Sequence, residues 1–144
     1  MKLFESFKLF IRWKLIRGDK IKKAYDKRCS DIVARILELR EDPMEPWVVN
    51  GRWSWNVVEG VAYPVTLVLP ERPLVICANG PEIGNWNESG RYCLDRKTWE
   101  RANRVMAHLK ITCEKMNLRL ITIEWDEPIS SEVLSIKLKG EENG

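Results

Sequence analysis

Apolar residues recur at helical spacing through the first forty positions. One face of 3–16 collects Phe4, Phe7, Ile11 and Leu15, three or four positions apart as an amphipathic helix requires. Gly18 predicts the end of this helix, because glycine has a low helix propensity. A second helix is predicted over 20–40, and Asp42-Pro43 just beyond it is expected to end that helix.

Short runs typical of strands follow. Residues 47–58 are rich in Trp and Val and carry Asn50-Gly51 between two apolar runs, which predicts a β-hairpin with a tight turn. Two further runs, 65–69 and 74–78, are separated by a turn with a proline at each end. They are predicted to be neighbouring strands.

The remaining chain alternates helix and strand. A helix opening near Asp95 precedes the clearest strand, 118–125, and Ser130 is a good cap for a last helix through about Lys139. The long helix is a crossover, so the strands near 74 and 118 are expected to lie parallel. The fold class predicted is α/β, with a mixed β-sheet of four to five strands flanked by helices and two N-terminal helices. Residues 1–43 are expected to form a basic helical segment packed on a core of 44–144.

Charge, cysteine content and hydropathy limit the partners, metal sites and cellular location that the sequence predicts. The net charge of +3 combines +7 over residues 1–40 with −4 over the rest, so the N-terminal arm can approach phosphate. Four widely spaced cysteines and one histidine make a structural zinc site unexpected. No long apolar block suggests a membrane span or signal peptide, so a soluble cytoplasmic protein is expected. The lack of glutamine and the abundance of Lys, Arg and Glu lean towards a hyperthermophile.

The segment 63–80 (YPVTLVLPERPLVICANG) resembles a known catalytic hairpin. It is similar to that of the PD-(D/E)XK nuclease superfamily, in particular the very-short-patch-repair endonuclease branch, and the resemblance extends over 59–139. It implies a restriction-endonuclease-like fold. Carried over by position, the metal-binding Asp of the family falls on Thr66, the metal-binding Glu on Cys77, and a third polar residue on Asn79.

These replacements remove both principal carboxylates. Such enzymes hold Mg²⁺ through carboxylate oxygens and use it to activate water, and a hydroxyl and a thiol are poor ligands for that hard cation. No catalytic residue, metal or cofactor is therefore expected. In the alternative, a Mg²⁺-dependent DNA endonuclease, relocated carboxylates would come from Glu59, Glu71 or Glu82.

Basic and aromatic residues suggest a binding role. The candidate nucleic-acid contacts are Lys20, Lys22, Lys23, Lys27, Arg28, Arg52, Trp53 and Trp55. The lysines can neutralise phosphates, and the two tryptophans, two residues apart on a strand, can present a stacking face. The competing interpretations are a solvated helix face, ordinary core packing and a helix lying on a membrane surface, the last not expected. A non-catalytic module binding nucleic acid or a protein partner is thus predicted, with a self-associating homodimer as a further alternative.

Overall fold

The computed structural model describes residues 2–49, 52–58, 61–81, 83 and 96–143. Its elements in chain order are α1 (Lys2–Glu38), β1 (Val48–Val49), β2 (Arg52–Val58), β3 (Val61–Pro64), β4 (Leu67–Leu69), β5 (Leu74–Ala78), α2 (Arg96–Lys115), β6 (Arg119–Ile123) and α3 (Ser131–Asn143). None of the helices in this described part of the chain is long and apolar enough to cross a bilayer.

Four strands form a mixed sheet in the order β1-β4-β5-β6. Strands β1, β4 and β5 pair antiparallel, and β5 pairs parallel with β6. The α/β class, the β4–β5 hairpin and the parallel crossover through α2 are therefore confirmed. The parallel register sets Ala78 opposite Ile123, so the carboxyl ends of β5 and β6 meet at one edge of the sheet.

Apolar side chains cover both faces of this sheet. On one face Ile32 and Ile36 of α1 join Leu134 of α3 against the strands. On the other, Leu109 and Cys113 of α2 belong to a second buried cluster. Helices α1 and α3 thus lie on one side of the sheet and α2 on the other.

The N-terminal segment is one continuous helix where two were predicted. Helix α1 runs from Lys2 to Glu38 without a break at Gly18. A glycine inside a helix costs only about 1 kcal/mol relative to alanine. Since the apolar positions before and after Gly18 fall on the same azimuth of a 3.6-residue helix, one uninterrupted helix keeps all of them on a single stripe.

The predicted hairpin over 47–58 is not formed. Strand β1 pairs with β4, with Val48 opposite Val68, whereas β2 pairs with β3 in a separate two-stranded sheet. Residues 50 and 51 themselves lie outside the described part of the chain. The local turn signal was overridden because β1 gains a distant partner in the main sheet.

Capping residues fix the ends of the later helices. Asn117 follows α2 with φ of 54°, a left-handed conformation that asparagine tolerates. The Leu118 N–H donates to Cys113 O and the Asn117 N–H to Glu114 O, which together make a Schellman motif. At α3, the Ser130 hydroxyl accepts from the Val133 N–H at 3.3 Å, as predicted for an N-cap.

Candidate functional site

The three positions carried over from the nuclease resemblance lie near the carboxyl end of β5. Thr66 is buried just before β4, and its Oγ1 accepts a hydrogen bond from the Ala78 N–H at 2.9 Å. Its backbone N–H donates to Ile76 O at 3.0 Å. The hydroxyl that replaces the family's metal-binding Asp is therefore engaged in holding the β4–β5 hairpin together.

Thr66 and Cys77 face opposite sides of the sheet. Burial raises the pKa of the Cys29 thiol of α1, and the nearby Tyr25 and Thr66 hydroxyls oppose that rise. Cys29 packs against the cluster on the α1 side, so Thr66 faces that side of the sheet. Cys77, only 2% exposed, belongs to the cluster on the α2 side. Within the described residues no group of three or more His, Cys, Asp or Glu side chains is placed to hold a metal ion.

Asn79 and Glu124 form a polar pair just past the ends of β5 and β6. The Asn79 amide donates to both carboxylate oxygens of Glu124, at 3.2 and 3.3 Å, and the Asn79 N–H donates to Ile123 O at 2.8 Å. Asn79 is 4% exposed, whereas Glu124 is exposed. Ligands of α/β sheets bind beyond the carboxyl ends of parallel strands, so this pair marks the candidate site.

Sequence reasoning missed Glu124. The signal that finds it is register: with Ala78 opposite Ile123, the residues that follow them along each strand, Asn79 and Glu124, become neighbours. The sequence predicted parallel strands but not which residues they align.

Two side chains of α1 close over this edge of the sheet. The Tyr25 hydroxyl donates to Ala78 O at 2.7 Å. The Arg28 guanidinium donates to the backbone oxygens of Glu124 and Glu127, each at 2.7 Å, and lies 5.9 Å from the ring centre of Trp125. Arg28, a candidate for nucleic-acid contact, is therefore occupied in joining α1 to the loop after β6.

That loop is tied to α3 by a charged pair. Glu127 Oε1 accepts from the Glu124 N–H at 2.9 Å and lies 2.8 Å from Lys137 Nζ. Lys137 also donates to Thr122 O at 2.6 Å. Partial burial raises the pKa of Glu127, but the Glu124 N–H and the positive charges of Lys137 and Arg28 outweigh it and lower the pKa overall. Glu127 is thus an ionised structural anchor for the loop that carries Glu124.

Of the three carboxylates that the endonuclease alternative would use, Glu59, Glu71 and Glu82, the structure describes only Glu71, and Glu71 lies away from this site. Glu71 is exposed in the turn between β4 and β5, at the far end of β5. At about 3.3 Å per residue, the five residues of β5 put roughly 15 Å between that turn and Asn79. Glu59 and Glu82 lie outside the described residues.

The predicted nucleic-acid contacts fall on two sides of the sheet. Lys20, Lys22, Lys23 and Lys27 are exposed on α1. Strand β2, with Arg52, Trp53 and Trp55, pairs with β3, and both strands contact α2 on the opposite side. The structure does not bring the two groups together.

The β2–β3 ladder is also irregular. Its register shifts between Trp53 and Val57, so regular alternation no longer implies that Trp53 and Trp55 share a face.

Comparison with known proteins returned no likeness. No family model matches the chain, and neither a curated protein nor a solved structure matches it.

Proposed function

We propose that the protein is a non-catalytic, nuclease-like module that binds nucleic acid or a partner protein through the exposed lysines of α1. The observation that carries this proposal is the placement of three of those lysines. At 3.6 residues per turn, Lys20, Lys23 and Lys27 fall within about 60° of one another around the helix axis. All three are exposed.

This lysine face, defined as Lys20, Lys23 and Lys27, belongs to a helix that packs on the sheet. It lies opposite the stripe that packs on the sheet, which includes the fully buried Ile32 and the nearly buried Ile36. Charges fixed on a docked helix bind phosphate without the entropy cost of ordering a flexible arm. A basic face on a docked helix therefore suits a polyanionic partner such as a nucleic acid.

Topology supports a restriction-endonuclease-like scaffold as part of the same proposal. The antiparallel β4–β5 hairpin, the crossover helix α2 and the parallel strand β6 follow the order that the resemblance implies. The non-catalytic role is supported by the buried, hydrogen-bonded Thr66 and by Cys77 on the opposite face of the sheet.

A salt titration of DNA affinity tests the lysine face. Each phosphate neutralised adds about 0.9 to the slope of log affinity against log salt, so Lys20→Ala/Lys27→Ala should lower that slope by about 1.8. The matched control, Lys110→Ala/Lys139→Ala, removes two exposed lysines elsewhere and should leave the slope unchanged. Equal slopes for both double variants would refute a contact through α1.

A metal-dependent endonuclease is the second candidate, and Glu124 favours it. Its exposed carboxylate, oriented by Asn79 at 3.2 and 3.3 Å, stands where an active site of an α/β sheet is expected. If this candidate is right, the protein nicks plasmid DNA with Mg²⁺ or Mn²⁺ and Glu124→Gln abolishes the nicking. Under the primary proposal neither protein nicks.

Self-association is the third candidate, favoured by the edge strand β1. Met44, Trp47 and Val48 are 84%, 44% and 48% exposed beside this edge, where unpaired backbone groups can recruit another strand. A dimer on a sizing column that Trp47→Lys converts to monomer would support this role. The primary proposal predicts the same elution volume for both proteins.

A further inference from the structure

A cleft opens at the end of the sheet opposite to Asn79 and Glu124, where strands β5 and β6 begin. Its volume is about 470 Å³, within the range of roughly 300 to 1,000 Å³ that small-molecule sites occupy. The cleft is lined by residues from the loop after α1, from α3, from the β4–β5 turn and from the first position of β6. None of these lining residues is among the candidate contacts that the sequence suggested.

An ion pair attaches the loop after α1 to the base of the cleft. The Arg72 guanidinium donates to both carboxylate oxygens of Glu45, at 2.7 and 2.9 Å, a bidentate geometry that fixes the two groups relative to each other. One oxygen of Asp42 accepts from the Met44 N–H at 2.9 Å, which closes the turn of this loop. Because Arg72 and Glu45 neutralise each other, the charge offered to a ligand comes from other lining residues.

Side chains of opposite sign line the cleft without pairing with each other. Glu41 and Asp42 belong to the loop after α1, whereas Arg119 is the first residue of β6 and is half-buried. Within the part of the chain that the structure describes, no ion pair joins Arg119 to either carboxylate. A planar guanidinium matches a ligand carboxylate, and the two acidic side chains match a ligand ammonium group.

The cleft also has an apolar surface. Leu39 and Leu138 line it, and both are partly buried against the core cluster on the α1 side of the sheet. Ser135 precedes Leu138 by three positions and so lies on the same face of α3, where its hydroxyl can donate or accept a hydrogen bond. A complementary ligand therefore combines a carboxylate, an ammonium group and an apolar group in one small molecule.

We infer that this cleft binds a free α-amino acid with an apolar side chain, such as leucine. The ligand carboxylate pairs with Arg119, the ammonium group pairs with Glu41 and Asp42, and the side chain packs on Leu39 and Leu138. A free α-amino acid carries both charges on one carbon atom. A nucleic acid offers neither the ammonium group nor the apolar side chain, so this inference is independent of the proposed function.

NMR titration of the isotope-labelled full chain measures the affinity and locates the ligand. L-leucine should shift the backbone amide resonances of the lining residues and saturate them below about 10 mM. Three analogues each lack one recognised group: isocaproate lacks the ammonium group, isoamylamine lacks the carboxylate and glycine lacks the apolar side chain. Each should bind at least about tenfold more weakly than L-leucine, because one charged hydrogen bond or one buried side chain contributes about that factor.

Substitutions at the two kinds of charged group should change selectivity in opposite directions. Arg119→Gln should weaken L-leucine and isocaproate by about tenfold without weakening isoamylamine. Glu41→Gln/Asp42→Asn should weaken L-leucine and isoamylamine without weakening isocaproate, and the amide at position 42 keeps an oxygen for the turn. Thermal unfolding followed by circular dichroism verifies that every variant is folded.

The matched control is Lys110→Gln/Glu114→Gln, which removes one charge of each sign from exposed positions on α2 and should bind every ligand as the wild type does. The inference is overturned if L-leucine leaves the lining resonances unchanged up to about 10 mM, or if isocaproate binds as tightly as L-leucine. Equal affinity of Arg119→Gln and the control for L-leucine also overturns it. These results do not depend on the salt titration of DNA affinity, so either proposal can fail without the other.

Discussion

Replacing Arg28 with alanine should destabilise the fold, although sequence reasoning made Arg28 a nucleic-acid contact. Its guanidinium donates to Glu124 O and Glu127 O, each at 2.7 Å, and lies over Trp125. A hydrogen bond from a charged donor contributes about 1.5 to 3 kcal/mol, and less where water can replace it. The contact with Glu127 O is partly buried and that with Glu124 O is exposed.

Two smaller effects adjust this magnitude. The contact with Trp125 adds about 0.5 to 1 kcal/mol. Against it, the buried Nε of Arg28 has no hydrogen-bond partner among the described residues, and removing such a donor returns about 1 kcal/mol. Together these contributions predict a net loss of about 2 to 3 kcal/mol for Arg28→Ala.

Urea unfolding followed by circular dichroism measures this loss. Lys27→Ala is the matched control, since it removes one charge from the neighbouring, exposed position and should change the free energy of unfolding by less than about 0.5 kcal/mol. Arg28→Lys should recover only part of the loss, because an ammonium lacks the planar fork that reaches two carbonyls. If Arg28→Ala unfolds with the wild-type free energy, the structural role given to Arg28 is refuted.

Three further predictions concern the core and the buried ionisable groups. Ile36→Ala should lower the free energy of unfolding, measured in urea, by about 2 to 5 kcal/mol. Ile111→Ala, at a half-exposed position, should lower it by less than about 1 kcal/mol. The hydrogen bond from Arg72 lowers the pKa of Glu45. The ionised Glu45 therefore stabilises the fold fully above the ordinary carboxyl pKa, and this stabilisation is lost as pH falls through the lower pKa of the folded state. Glu45→Gln should reduce the loss of unfolding free energy over this acidic range. Cys113 is buried and its burial raises the pKa of its thiol, so Cys113 should react with a disulfide reagent only as fast as the protein unfolds. Fast reaction at Cys113 itself in the folded protein would contradict this.

The sequence predicted the two strand pairings that follow from the type of connection between the strands. The apolar runs around β4 and β5 are joined by a short turn, so their pairing follows from turn chemistry. The parallel pairing of β6 followed from the length of the crossover through α2. In both cases the signal lies in the connection itself, a short turn in one and a long helix in the other.

Features that depend on contacts between residues far apart in the chain could not be predicted from the sequence. Asn50-Gly51 favoured a hairpin, yet β1 pairs with β4, about twenty residues further along the chain, with Val48 opposite Val68. Arg28 was assigned by charge alone, while its acceptors are carbonyls nearly one hundred residues away. Glu124 became a site residue only through the register that sets it beside Asn79.

The affinity of the wild-type protein for duplex DNA, measured across a salt series, tests the central claim most directly. We predict binding at low salt and a linear fall of log affinity with log salt, with a slope of at least about 1.8 from two lysines of α1 alone. An affinity that is undetectable at low salt, or that does not change with salt, would contradict a module that binds nucleic acid through the lysine face of α1.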